Sequence, residues 1–182
     1  VIPSVVGHII TQVGMTYLSE RLKSLTAVAV LGQFWALPFL IALYKLDVTT
    51  VNKWIMYAII TTLLTYPNAH AIQVAWNSRN SNTVRSRTVS AAMYNMFVQS
   101  GAVIASNIYR EDDKPRYRRG NSVLLSLACV NIVIYAGVWS FYRWINRKRD
   151  REWEALTAEQ KEEYVRTTKD EGTQRLDFRF AY

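Results

Sequence analysis

Charge is missing from five long stretches of this chain. Residues 1–18, 25–44, 54–76, 88–109 and 121–142 contain no Lys, Arg, Asp or Glu, and all 36 charged residues fall outside them. A water-soluble helix normally keeps one polar face, so helices without charge over 18 to 23 residues argue against a soluble core. Cysteine is nearly absent: Cys129 stands alone, which excludes an internal disulfide and leaves it a packing role. Histidine is scarce too. His8 and His70 lie in separate stretches without a cysteine or carboxylate cluster, a poor basis for a metal site. No stretch holds an acid that could serve as a general base, and no Ser/His/Asp arrangement has suggestive spacing, so an enzyme and a bound cofactor are not expected. There is no basic n-region with a small-residue cleavage site, no internal repeat and no low-complexity tract, so a signal peptide is not expected either.

What is present fits a bilayer. A hydrocarbon layer of roughly 30 Å takes about 20 helical residues to cross, and backbone groups inside it must bond within their own segment. The sequence predicts an all-α membrane protein with five spans at 1–18, 25–44, 54–76, 88–109 and 121–142. Residues 1–143 would form the transmembrane bundle and residues 144–182 a cytoplasmic tail. The mean hydropathy of −0.03 conceals this, because charged loops and tail offset the spans. The net charge of +8 is spread over several loops and reads as membrane topology, not as a nucleic-acid surface. Loops 19–24 and 77–87 and everything from Arg143 onward carry 15 of the 22 basic residues, which places them in the cytoplasm. Trp54, Trp76, Tyr109, Tyr142 and Trp144 sit at stretch ends, where amphipathic rings favour the interface. Pro38 and Pro67 fall inside stretches and should kink their helices. In the tail, Thr157 and Gln160 have capping-box spacing ahead of good helix formers at 158–169, predicting a short surface helix. The first stretch has no charged flank before it, and we expect a fragment whose true start lies upstream.

Polar residues inside the stretches are few enough to weigh singly. Ser4, His8 and Gln12 share a face of the first. Thr61, Thr65 and Asn68 form a stripe in the third, with His70 and Gln73 nearby. Asn95, Gln99 and Ser106 share a face of the fourth, joined by Tyr94 and Asn107. An unpaired amide in lipid is costly, so such faces turn toward other helices or a watery cavity. Each residue alone reads equally as interhelical glue; the three stripes together point to a cavity that hydrogen-bonds a polar solute. The candidate binding residues are His8, Gln12, Asn68, His70, Asn95 and Gln99, with the amides of Asn95 and Gln99 offered to a carboxylate or sulfonate.

Two motifs go further. Leu18-Ser19-Glu20-Arg21 resembles the short loop signature G-x-L-S-D-R of the major facilitator superfamily, with Thr16 where the glycine belongs, Glu20 for aspartate, and Lys23 as the only following basic residue. WNSRNSNTVRSRTVSAAMYNMFVQSG (76–101), SNIYREDDKPRYRRGN (106–121) and RLDFRFAY (175–182) are similar to blocks of the fungal allantoate permease family within that superfamily. The resemblance implies spans eight to twelve of a twelve-span carrier built from two six-helix halves. It further implies proton-driven transport of a small organic anion such as allantoate, nicotinate, pantothenate or a sulfonate, by alternating access in a monomer of the plasma membrane. The alternative is a truncated, transporter-like nutrient sensor or an inactive remnant.

Overall fold

The computed structural model describes residues 2–22, 24–47 and 50–182, and every regular element among them is helical. In chain order these are α1 (Ile2–Leu22), α2 (Leu25–Lys45), α3 (Lys53–Leu64), α4 (His70–Asn80), α5 (Val84–Ala105), α6 (Arg118–Glu154) and α7 (Ala158–Thr167). Short 3-10 turns at Glu111–Asp113 and Gly172–Gln174 complete them. Lys23, part of the loop signature, lies outside the described residues.

α2 is the central element and packs against α1, α3, α4 and α6. Its buried residues Leu25, Val28, Ala29, Gly32, Gln33, Ala36 and Leu40 recur every three or four positions, the stripe of one helix face. Three small clusters form along that stripe: Leu25 and Val28 with Ile72, Ala29 with Ala69 and Tyr135, and Ala36 and Leu40 with Ala128. Small residues let the backbones approach, as helices in lipid require. A Cβ on Gly32 would lie 3.1 Å from the Pro67 carbonyl, and one on Gly7 would lie 2.3 Å from Thr65 Cγ2.

Two helices, α2 and α6, are long and apolar enough to cross a membrane; α3 is a shorter apolar helix. The third expected span is interrupted, since residues 65–69 leave the helix and divide it into α3 and α4. Pro67 therefore breaks its helix where a kink was expected, whereas Pro38 is carried inside α2 without ending it. α1 and α5 are long enough, but His8, Thr11, Gln12 and Thr16 in one, and Arg85, Arg87, Asn95 and Gln99 in the other, dilute their apolar character. α5 buries none of its residues and leans on α4. At the expected boundary between bundle and tail, α6 does not stop: it runs through 143–144 for 37 residues, about 56 Å at 1.5 Å per residue.

Loops and tail are tied down by specific bonds. In the 110–120 loop, Asp112 pairs with Arg110 and Arg119, Lys114 with Glu111, and Arg116 with Asp47 across the 45–53 loop. Asp113 Oδ2 accepts from the backbone N–H of Arg119 and Gly120, supplying partners to the otherwise bare start of α6. α7 opens on the Thr157–Gln160 capping box. Beyond it the last residues fold back along α4 and α6. Asn80 and Asn146 each bind the backbone in both directions: Ala181 N–H donates to Asn80 Oδ1 and Phe180 N–H to Asn146 Oδ1, while the two amide groups donate to the Ala181 and Phe180 carbonyls. The Phe180 ring stacks on Tyr142 at 4.6 Å.

Candidate functional site

The break at 65–69 creates the chemistry of the region. In an unbroken helix, the carbonyls of Thr62, Thr65 and Tyr66 would accept from the N–H groups of residues 66, 69 and 70. Here Tyr66 N–H turns to Leu63 O, and His70 N–H is taken by Asn68 Oδ1 at 2.9 Å. Side chains of the neighbouring helices supply the missing donors. Trp35 Nε1 donates to Thr62 O at 3.2 Å and Thr11 Oγ1 to Thr65 O at 2.7 Å. His8 Nδ1 lies 2.8 Å from Tyr66 O, and because a carbonyl only accepts, that nitrogen carries its proton. Non-helical backbone at membrane depth is tolerated where such partners re-satisfy it. Gly7 and Gly32 bring α1 and α2 close enough to do so.

From the start of α4 a hydrogen-bonded chain crosses three helices. His70 Nδ1 is 2.7 Å from the Tyr94 hydroxyl of α5, Tyr94 donates to Gln73 Oε1 at 3.1 Å, and Gln73 Nε2 donates to the Tyr135 hydroxyl of α6 at 2.5 Å. A tyrosine has one hydroxyl proton. With that of Tyr94 committed to Gln73, His70 Nδ1 is the donor to Tyr94, and its Nε2 remains for another partner. Tyr135, whose oxygen accepts from Gln73, keeps its own proton for an acceptor elsewhere. Tyr66 is placed alike, accepting from Gln33 Nε2 at 2.9 Å.

This chain borders a cleft of about 500 Å³ between α4, α5 and α6. Its walls include Trp76, Phe97 and Tyr142, with Gln73, Asn77, Ser90, Tyr94 and Tyr135 as polar groups. Trp76 stacks on Tyr135 with centroids 6.2 Å apart, fixing both rings. The C-terminal segment is tied to two residues of the wall. Trp76 Nε1 donates to Ala181 O at 2.6 Å, and Asn80, also in the wall, holds the same residue. Among the described residues no Lys or Arg lines the cleft, so its polar walls act by hydrogen bonding.

The six residues expected to share a cavity are distributed among separate tasks. His70 enters the hydrogen-bonded chain, His8 caps the break, and Asn68 caps the start of α4. Gln12 borders a shallow groove with Val13, Thr16, Tyr17 and Glu20. Asn95 and Gln99 are exposed. α5 turns Ser90, Met93, Tyr94 and Phe97 to the cleft, and one residue further along a helix is a rotation of about 100°. Asn95 and Gln99, five and nine residues past Ser90, therefore lie on the opposite side of α5 from the cleft. Gln73 and Tyr94, read from the sequence as neighbours of the stripes, are the centre of the chain. Tyr135 gave no sequence signal beyond being a hydroxyl in an uncharged stretch, and only the packing of α6 on α2 reveals it.

No protein-family model and no solved structure matches this chain. Two relatives from Saccharomyces cerevisiae do. The uncharacterized transporter YOL162W is 45% identical over 181 residues, covering 100% of this chain and 84% of the relative. The uncharacterized transporter YIL166C is 45% identical over 165 residues, covering 91% of this chain but 30% of that longer protein. Both names are those of transporters, not of enzymes. Sharing that identity along its whole length, and carrying two helices fit to cross a bilayer, this chain is a membrane protein belonging to the family of these yeast transporters.

Proposed function

We propose that the chain forms part of a secondary transporter of the major facilitator superfamily, of the allantoate permease type, crossing the membrane five times. It moves a small organic anion, such as allantoate, nicotinate, pantothenate or a sulfonate, together with protons and as a monomer of the plasma membrane. The observation that carries this reading is the broken helix at 65–69 beside the His70–Tyr94–Gln73–Tyr135 chain. Interrupted helices next to polar groups are how transporters of this general kind build a midplane site. In this reading the anion rests in the aromatic cleft, and Tyr135 donates its free hydroxyl proton to a carboxylate or sulfonate oxygen. A companion bundle closes over the exposed faces of α1 and α5, and rocking of the two bundles exposes the cleft to each side in turn. Gln12, Asn95 and Gln99, which face away from this cleft, would instead meet the companion bundle.

Uptake of labelled anions into cells or proteoliposomes tests this. Tyr135→Phe removes one hydroxyl, and loss of a bond made to a charged oxygen lowers uptake about tenfold or more, at unchanged membrane abundance. Asn95→Ala and Gln99→Ala weaken uptake if the companion bundle covers them. Unchanged uptake kinetics in both Tyr135→Phe and Gln73→Leu would sink the cleft as the substrate site.

A further inference from the structure

The C-terminal half of α6 carries a second set of groups that transport does not use. Arg143, Arg147 and Arg151 are spaced four apart and share one face, with Lys148, Ser140, Trp139 and Trp144 beside them around a groove of about 650 Å³. Three other basic residues of this end are occupied: Arg149 donates to the Thr173 and Phe178 carbonyls, Arg179 pairs with Asp150, and Arg175 with Asp177. Arg147 and Arg151, in contrast, are exposed and donate to no acceptor among the described residues. Arg143 only lies over the Trp139 ring, 4.8 Å from its centroid. Lys148 meets Glu152 at a loose 3.8 Å, and Trp144 is 61% exposed.

The position of these cations along the helix says what they face. The uncharged 22 residues at 121–142 rise about 33 Å, enough to span the hydrocarbon layer. Arg143 then stands at its edge, and Arg147 and Arg151 roughly 6 and 12 Å further out, through the headgroup layer. Trp139 and Trp144 bracket that edge, where indole rings settle. A topological preference for positive charge accounts for the number of cations. It does not account for three guanidinium groups aligned on one face with no carboxylate partner among the described residues, and two tryptophans at the depth of the acyl boundary. We infer that this face of α6 is a binding site for an anionic phospholipid. The phosphodiester sits between Arg143, Arg147 and Lys148, Arg151 reaches a further headgroup anion, and the acyl chains run along Trp139 and Trp144. The inference rests on α6 crossing the bilayer, as the proposed function requires, but not on the identity of the transported anion.

The test is a binding titration of the purified protein with dioctanoyl phosphatidylserine, dioctanoyl phosphatidylcholine and inorganic phosphate. Phosphatidylserine binds at least tenfold tighter than phosphatidylcholine, and millimolar phosphate does not displace it. Each arginine contributes on the order of fivefold, so Arg143→Gln, Arg147→Gln and Arg151→Gln combined lose roughly a hundredfold. Should the triple variant melt early in phosphatidylcholine, Arg147→Gln and Arg151→Gln singly carry the test at about fivefold each. Equal affinity for the two lipids, full competition by phosphate, or variants that bind as the parent does each overturn the site. Labelling Arg116→Cys and Glu154→Cys, at either end of the α6 region and outside the groove, with an impermeant maleimide in a Cys129→Ser background separates the two claims. Same-sided labelling overturns the crossing, whereas opposite-sided labelling without lipid preference overturns the lipid site alone.

Discussion

Gln73 is the hub of the polar chain, and replacing it by leucine is the sharpest perturbation of the fold. Leucine keeps the side chain's bulk and removes both roles of the amide. Tyr94 loses the acceptor of its hydroxyl proton, and Tyr135 loses the donor 2.5 Å from its oxygen. A side-chain hydrogen bond contributes about 0.5–1.5 kcal/mol net in general, and nearer 0.6 between helices in a membrane. Two bonds therefore amount to roughly 1–3 kcal/mol. Tyr135 is only 9% exposed, so its stranded hydroxyl moves the expected loss above the bottom of that range. Tyr94→Phe removes the bond to Gln73 together with that to His70. If the chain is one network, the double variant is less destabilised than the sum of the singles, by about 0.5–1 kcal/mol. Reversible unfolding of the micelle-embedded protein by denaturing detergent, followed by circular dichroism, measures all four corners of the cycle. Additive losses, with a coupling indistinguishable from zero, would refute the network.

Three further outcomes follow from the structure. Asn80→Ala deletes both bonds to Ala181 and leaves only Trp76 on its carbonyl; hydrogen exchange at residues 176–182 should speed up by about tenfold or more, while exchange in α2 stays as it was. Arg175 beside Asp177 holds that carboxyl below its usual range, through a hydrogen bond before charge attraction. A lowered folded-state value means that the pair's contribution is complete above the ordinary carboxylate pKa and fades as pH falls through the folded one. Tail protection should therefore decline in acid below about pH 4, and Asp177→Asn should flatten that dependence in the same exchange measurement. Thr157→Ala breaks the capping box of α7 at a cost of about 1 kcal/mol, seen as faster exchange confined to residues 158–167.

Long uncharged runs need no neighbours to be recognised, because the cost of charge in hydrocarbon acts residue by residue. That is why α2 and α6 were legible from composition. So was the capping box of α7, since its partners are three residues apart. The interruption at Pro67 was legible as a defect but not in its extent. How far the helix opens depends on whether Trp35, Thr11 and His8 are near enough to take up the freed carbonyls, and those donors come from other helices, 27 to 58 residues away. The polar stripes correctly flagged His70, Gln73 and Tyr94 as side chains needing partners. They could not assign the pairs, because periodicity fixes the face of a helix and not what that face meets. His8 and Asn68 thus became caps, and Asn95 and Gln99 fell on the side of α5 opposite the cleft. That α6 continues beyond the expected boundary has a related reason. A change from apolar to charged residues marks the end of the hydrocarbon, not the end of a helix whose backbone bonds continue through it.

By itself, then, the sequence determined that the chain is helical, where its longest apolar helices lie and where its basic residues gather, all consequences of local solvation. Only the tertiary structure decided that α3 and α4 are separate helices, that Tyr135 meets Gln73 across 62 residues, and that the last residues bond to Trp76 and Asn80. Those outcomes depend on which donors and acceptors the packing around Gly7, Ala29 and Gly32 brings within bonding distance.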